Sequence, residues 1–463
     1  MRPRTLLVLL VLVAGLGSFI WFYERELPSS EERAKLEKRV LQVEKDDVTA
    51  VTLQSESGTV RMEKVNLPAP AEEEKEQEQD EEEIDTTPDT EWHLRQPLNA
   101  RADAFAVDGL LDALINLEQT RVLDDVDPKQ AGLDKPRATV RLKTDEGETI
   151  LKIGAADPMG GSTLAAVEGR KGAYVVSDSI LNEIRKAPGD WRDRQMFRGD
   201  RDQVQRITLS TGGQGVVLVP KGDAFRIERP VSDRADREKV DALFAELSGL
   251  TAERFLDQQL GQARAMVEVA FKQGQPVRIE IGAPVPSEET PAVQARVGSQ
   301  VFEARTRLAE IAARPAAEWR SQTLSGFDVF EVESATVQDG QGKLTLQRAE
   351  PDWKRGEETI SYLPVSDFLF ALVQARAERL LSSGEAASLG IGGKPVLTVT
   401  LKGKGSEGET AGEETLTLYP PVAAGVPARA AGRDLVLLLP AGTLGEVQGK
   451  LAEVRKAKPV QKQ

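Results

Sequence analysis

Apolar positions along this chain fall into two alternating rhythms, one of period two and one near 3.6, and the same succession of rhythms occurs three times. Copy one reads Trp92-His-Leu-Arg-Gln-Pro97, then a helical stretch, then Thr120-Arg121-Val122-Leu123-Asp124. Copy two reads Phe225-Arg-Ile-Glu-Arg-Pro230, a similar stretch, then Glu253-Arg254-Phe255-Leu256-Asp257, with each landmark 133 residues later. Copy three offers Trp353-Lys354, a helical stretch, and Glu378-Arg379-Leu380-Leu381. The helical stretches carry Val107, Leu110, Leu111, Leu114 and Leu117; Val240, Leu243, Phe244, Leu247 and Leu250; and Val365, Phe368, Leu369 and Leu372. That spacing lines one face of a helix, so these side chains are expected in a core. Asp103, Asp236 and Ser361 precede the stripes as N-cap candidates.

Strands flank each helix. Val48–Leu53 and Val204–Leu209 open copies one and two, and Gly212-Gly213 turns the latter into Val216–Val219. Pro97 and Pro230 cannot donate to a ladder and mark the ends of their strands. After the helix come the pairs Thr139–Leu142 with Thr149–Gly154, Met266–Val269 with Val277–Gly282, and Leu397–Leu401 with Thr415–Leu418. A further strand follows at Ala173–Val176, Gln300–Ala304 and Asp434–Leu439, and then a short helix with Leu-x-Glu-[Ile/Val] at Leu181, Leu308 and Leu444. Trp191-Arg192 and Trp319-Arg320 occur only where another copy follows, which marks them as an inter-module joint.

The expected fold is therefore α+β: three tandem modules, each mainly antiparallel strands with one long packing helix and one short exit helix. The boundaries fall at 46–196, 197–323 and 324–455, after a stub, anchor and juxtamembrane segment (1–45) and before a disordered tail (456–463). Arg2 and Arg4 precede an uncharged apolar run, Thr5–Tyr23, whose nineteen residues span about 30 Å as a helix. Positive-inside logic keeps the amino terminus in the cytoplasm and exports the rest. A cleaved signal peptide ending near Gly15-Leu16-Gly17 is the alternative; the aromatic end Trp21-Phe22-Tyr23 favours an uncleaved single-pass anchor.

Hydrophobic residues at 40% are enough for cores, and a net charge of −15 argues against nucleic acid as a partner. Ten acidic residues and one lysine crowd Ala71–Asp85, inside an insertion over about 68–90 that makes copy one 23 residues longer before Trp92. Such a run is expected to be disordered, a solvated decoration of a hairpin rather than a cation or basic-partner site. With no cysteine, disulfides and a lipoprotein anchor are excluded. The one histidine, His93, has no partners for a metal site or a Ser-His-Asp triad, and no cofactor motif appears. A carboxylate-pair hydrolase stays open only because 75 acidic residues always permit some pair. Arg121, Arg254 and Arg379 are candidate interaction or helix-end positions. They either line an acidic-ligand surface or, as favoured here, satisfy carbonyls at a helix C-terminus.

The anchor, the [Trp/Phe]-x-x-x-x-Pro strand, the helix with its trailing Arg-[Val/Phe/Leu]-Leu and the Trp-Arg joint resemble the bacterial repeat proteins grouped as domain of unknown function 4340, from about Asp46 to Arg455. Copy three departs from the pattern, with Trp353-Lys-Arg-Gly-Glu and no closing proline, and copy one carries the acidic insertion. The resemblance implies a membrane-anchored protein of the bacterial inner membrane with its bulk in the periplasm. It further implies a partnership with ABC-transporter membrane subunits of the gliding-motility kind, or with other envelope proteins. It brings no catalytic residues. A non-enzymatic accessory subunit is the first expectation; a standalone envelope-binding scaffold is the alternative.

Overall fold

Residues 36–67, 90–222, 224–286, 292–389, 391, 393–403 and 412–460 are described by a computed structural model. The apolar run Thr5–Tyr23 and the acidic run Ala71–Asp85 lie outside these residues. Among the described residues no helix is long and apolar enough to cross a membrane.

In the first module β1 (Ala50–Ser55), β2 (Gly58–Asn66), β3 (Thr90–Gln96) and β4 (Ala100–Arg101) precede α1 (Ala104–Ile115). After it come β5 (Gln119–Leu123), β6 (Ala138–Lys143), β7 (Glu148–Ala156), β8 (Ser162–Val167), β9 (Ala173–Ser177) and α2 (Ile180–Ile184). The second module has β10 (Val204–Thr211), β11 (Gln214–Lys221), β12 (Ala224–Arg229), β13 (Asp233–Arg234), α3 (Arg237–Ser248) and β14 (Arg254–Leu256). It continues with β15 (Ala265–Phe271), β16 (Val277–Val285), β17 (Ala292–Val297), β18 (Gln300–Ala304), α4 (Leu308–Ala312) and α5 (Ala316–Trp319). The third has β19 (Val332–Asp339), β20 (Gly342–Ala349), β21 (Asp352–Arg355), β22 (Glu358–Ile360), α6 (Tyr362–Val373), β23 (Arg379–Leu381) and α7 (Ser383–Ser388). Its remaining elements are β24 (Leu397–Gly403), β25 (Glu413–Leu418), β26 (Val426–Ala430), β27 (Val436–Leu439) and α8 (Thr443–Lys456).

Three nine-stranded antiparallel sheets with few helices make the described chain mostly β. The first sheet runs β4-β3-β2-β1-β6-β7-β8-β9-β5, and the other two repeat that order. The long helix thus leaves one edge of its sheet and returns the chain to the opposite edge. Eight strand steps of about 4.8 Å would span about 38 Å in a flat sheet, whereas twelve helical residues span about 18 Å. The helix packs across the sheet, its stripe facing the strands, which gives each module its own core. Leu114, Leu247 and Leu372, from equivalent positions of the three helical stripes, are all fully buried. Trp92, Trp191, Trp319 and Trp353 are buried too, each with a lysine or arginine 5.3–5.8 Å from its ring centroid.

Local chemistry explains most elements and corrects some expectations. Asp103 and Asp236 cap their helices, accepting from the amides of Ala106 (3.1 Å) and Lys239 (3.3 Å). Ser361 stands at the third N-cap but makes no capping bond, because Pro364 at the third helical position has no N–H to donate. Asp352 Oδ1 accepts from the Tyr362 amide instead. Where copy three lacks its closing proline, Gly356 (φ 65°) turns β21 directly into β22. Asn66 pairs with Thr90, so the chain leaves and re-enters the first sheet at one point on either side of the acidic insertion.

The exit of the third module differs from the short helix and disordered tail expected there. α8 has fourteen residues and packs on α6, and Pro459 bridges Ile360 while the Val460 amide donates to Thr359 O at 2.8 Å. The Asp193 amide donates to Arg101 O (3.0 Å) and the Ser321 amide to Arg234 O (3.0 Å) in the same way, so an edge strand that needs a partner captures the departing chain in every module.

The chain forms two compact units, Met1–Arg194 with the first sheet and Gln195–Gln463 with the second and third. Truncating a buried leucine leaves a cavity that costs about 2–5 kcal/mol. Leu114→Ala should therefore lower the urea midpoint of the first unit alone and Leu247→Ala that of the second alone. Equal shifts of one common transition in both variants would contradict independent units.

Candidate functional site: the buried joint between the second and third modules

Within the second unit, the densest polar cluster lies where β13 meets the third module. β13 is a two-residue strand, long enough for one register with β12 (Ile227 opposite Asp233, Arg226 opposite Arg234). Asp233 is only 3% exposed and so needs a partner. That partner arrives from the β26–β27 hairpin, where Gly432 (φ 79°) places Arg433 at the tip. Arg433 Nε donates to Asp233 Oδ1 at 2.8 Å and Nη2 to Oδ2 at 3.2 Å, a two-point pair. The same guanidinium donates to the carbonyls of Ser321 (2.7 Å) and Thr323 (3.1 Å). Arg320 adds a third charge, its Nε lying 3.4 Å from Asp233 Oδ2.

A second pair runs beside the first with its charges reversed. Arg234 of the second module donates to Glu414 Oε1 of the third at 2.8 Å and to Leu324 O at 2.9 Å. Glu414 Oε2 accepts from Ser325 Oγ (2.8 Å) and the Gly326 amide (2.9 Å). Burial holds the Arg234 guanidinium below the ordinary arginine range, the Glu414 charge opposes that shift, and the like charge of Arg433 adds to it. The absence of a side chain at Gly326 leaves room for the Arg234 guanidinium, which a Cβ there would push aside. Nearer the surface Arg376 donates to Glu238 Oε1 at 2.6 Å and approaches Asp236 Oδ2 at 3.6 Å. The hydrogen bond to Glu238 raises the Arg376 pKa.

The joint residues marked in the sequence divide between two tasks. Trp191 and Trp319 belong to the cores of the modules they leave, and their carbonyls accept from the Asp103 (2.9 Å) and Asp236 (2.7 Å) amides. Arg192 and Arg320 bridge Ala102 and Ala235, one residue past the edge strands, and Arg320 alone of the four reaches the buried cluster. Asp233, Arg234, Glu414 and Arg433 were not singled out in the sequence. Two of them carried a signal, a difference between copies: Ala100 stands where copy two has Asp233, and Ser299 of copy two stands where copies one and three have Arg170 and Arg433.

Arg121, Arg254 and Arg379 are not gathered into one place. Each stands five residues beyond its helix C-cap, on the short edge strand β5, β14 or β23, and is exposed. Arg254 donates across the strands to Glu303, at 2.6 Å and 3.1 Å, rather than to helix carbonyls. His93 on β3 faces Glu91 at 3.6 Å. In the first unit a cleft of ≈ 330 Å³ is lined by Asp124, Lys152, Glu168 and Arg170, among others. Lys152 pairs with Glu168 at 3.0 Å, and Arg170 donates to Val40 O (3.0 Å) and Gln42 Oε1 (3.2 Å). Arg170 occupies the hairpin position of Arg433, so one device, an arginine after a left-handed glycine, holds the entering chain in both modules. Among the described residues no group of three or more His, Asp or Glu side chains is arranged to hold a metal.

A family model described as "Domain of unknown function (DUF4340)" matches residues 92–260 and 226–390, together well over half of the chain. The chain belongs to the DUF4340 family. Each DUF4340 match begins in the third or a corresponding strand of one sheet and ends beyond the edge strand that follows the helix of the next. The DUF4340 unit therefore straddles a joint, and the second match contains Asp233, Arg234, Arg320 and Arg376. Comparison with curated proteins gives no match.

Removing one member of a buried pair leaves the other charge uncompensated, at a cost of about 3–5 kcal/mol. Asp233→Ala should destabilise the second unit by that amount in urea unfolding, and Asp233→Leu combined with Arg433→Met should recover most of it. Gly326→Ala should destabilise less, by displacing Arg234. An unchanged midpoint in Asp233→Ala would refute a joint held by this pair.

Proposed function

We propose that this DUF4340 chain is a non-enzymatic scaffold or accessory subunit, held at the bacterial inner membrane by Thr5–Tyr23 with its modules in the periplasm. We further propose that it works with the membrane subunits of an ABC-type transporter of the gliding-motility kind. The observation that carries the reading is the Asp233–Arg433 joint. Two of the three buried charged residues, Asp233 and Arg433, hold two modules in register among the described residues, which is what a protein presenting surfaces at fixed spacing requires. The repeat architecture, in which equivalent positions vary in charge while the fold is kept, fits the same task. The arginines at 2 and 4 before the apolar run support the cytoplasmic amino terminus.

Cross-linked recovery of the tagged full-length chain from its native membrane in mild detergent tests this reading. ABC-transporter subunits should co-purify at near-stoichiometric yield, and the yield should fall when Val48–Gln463 is deleted and the anchor kept. Recovery of wall or outer-membrane components without any transporter subunit would make the chain a standalone envelope scaffold.

A further inference from the structure

The third module keeps the fold of the second but not its surface. On the outer side of α3, Glu238 and Ala245 occupy positions two turns apart, and Asp202 lies on the neighbouring 3-10 turn Arg201–Gln203. The equivalent positions of α6 and of the 3-10 turn Val329–Glu331 are Leu363, Phe370 and Phe330. These three are 65%, 60% and 74% exposed, and the turn packs alongside α6. Three large apolar side chains lie on adjoining elements where the second module carries polar or small ones and the first keeps one of the three, Phe105 at the position of Leu363, and together they mark a face for a partner rather than scattered exposure.

The surrounding charge identifies what covers it. Asp367 lies one turn from both Leu363 and Phe370, Glu331 and Glu333 follow Phe330, and Glu357 and Glu358 precede the helix. Lys450 pairs with Asp367 (3.1 Å) and Arg355 with Glu358 (2.7 Å), so the net negative charge of the rim rests on Glu331, Glu333 and Glu357, while Arg348 donates to the carbonyls of Val332 (3.1 Å) and Val329 (3.4 Å). An apolar centre with an acidic rim repels an anionic lipid surface and complements an apolar protein surface flanked by lysine or arginine.

We infer that Phe330, Leu363 and Phe370 form a docking face for a partner protein that presents an apolar, basic-flanked surface such as an amphipathic cationic helix. This inference rests on the scaffold reading for its purpose, and on the contrast between the two modules for its location. Association would bury the three side chains and set the partner's cations against the rim.

The test uses the full-length chain in nanodiscs. Because the sequence has no cysteine, Phe330→Cys can be labelled singly with an environment-sensitive fluorophore, and binding of a synthetic Leu/Lys amphipathic helix is followed by its blue shift. Binding by unlabelled variants is read from anisotropy of the labelled peptide. Leu363→Asp with Phe370→Asp should weaken binding tenfold or more without moving the unfolding midpoint. Phe105→Asp, at the position of Leu363 on the first module's helix but without the two neighbouring phenylalanines, should leave binding unchanged. Equal binding by the double variant would overturn the inference. So would a blue shift produced by phosphatidylglycerol nanodiscs without peptide, or one that grows with protein concentration as copies associate. Undiminished recovery of transporter subunits by the double variant would reject this face while leaving the scaffold reading intact.

Discussion

Each module depends on one connection: a three-turn helix that must carry the chain from one edge of a nine-stranded sheet to the other. The helix covers about half the width of a flat nine-stranded sheet, and the few residues at its two ends have to supply the rest. Crossing the sheet sets the apolar stripe of the helix against the strands' buried face, and this accounts for a separate core in each module. It also leaves a very short strand at the rim, β4, β13 or β22, beside the helix N-cap. A two- or three-residue edge strand cannot satisfy its own backbone, so the outgoing chain is drawn onto it in all three modules.

That rim is where the second and third modules acquire their joint. An exposed ion pair contributes little, because water solvates both charges nearly as well. Asp233 and Arg433 are different: with side chains 2% and 3% exposed, neither has water to fall back on, and each is completed by the other together with carbonyls and amides around it. The adjacent Arg234–Glu414 pair carries the opposite polarity. A crossed arrangement of this kind penalises any slip between the modules, since displacement would bring like charges together or strand them unpaired. The joint therefore supplies register more than net stability.

The surface differences between modules have a related logic. Helix positions that face the core are conserved in character across the three copies within this chain, whereas positions facing outward are free to change. At one such set the second module carries Glu238, which reaches Arg376 of the third, while the third module carries Leu363 with Phe370 and Phe330 nearby. Membership of DUF4340 specifies the fold and its straddling repeat; what the chain meets is written in these outward positions.

The repeat, the helices and most strands were legible in the amino-acid sequence, because hydrophobic period follows directly from which side chains share a face of a helix or strand. Val107 to Leu117 and its two counterparts announced their helices unaided, and the 23-residue excess located the insertion between β2 and β3. Short elements escaped that reasoning: β4 and β13 have two residues and no period, and β23 holds Arg379 on an edge strand that reads locally like the end of a helix. Trp191 and Trp319 were recognised as recurrent, yet only the fold shows that their rings complete the core they leave while their carbonyls hold a helix start. The Asp233–Arg433 pair was beyond sequence reasoning for a plain reason: the two residues are 200 positions apart, and a charge in a linear chain carries no mark of whether it will be solvated or buried. Local periodicity thus set what each segment became, and tertiary structure alone decided which charges lost their water and had to find one another.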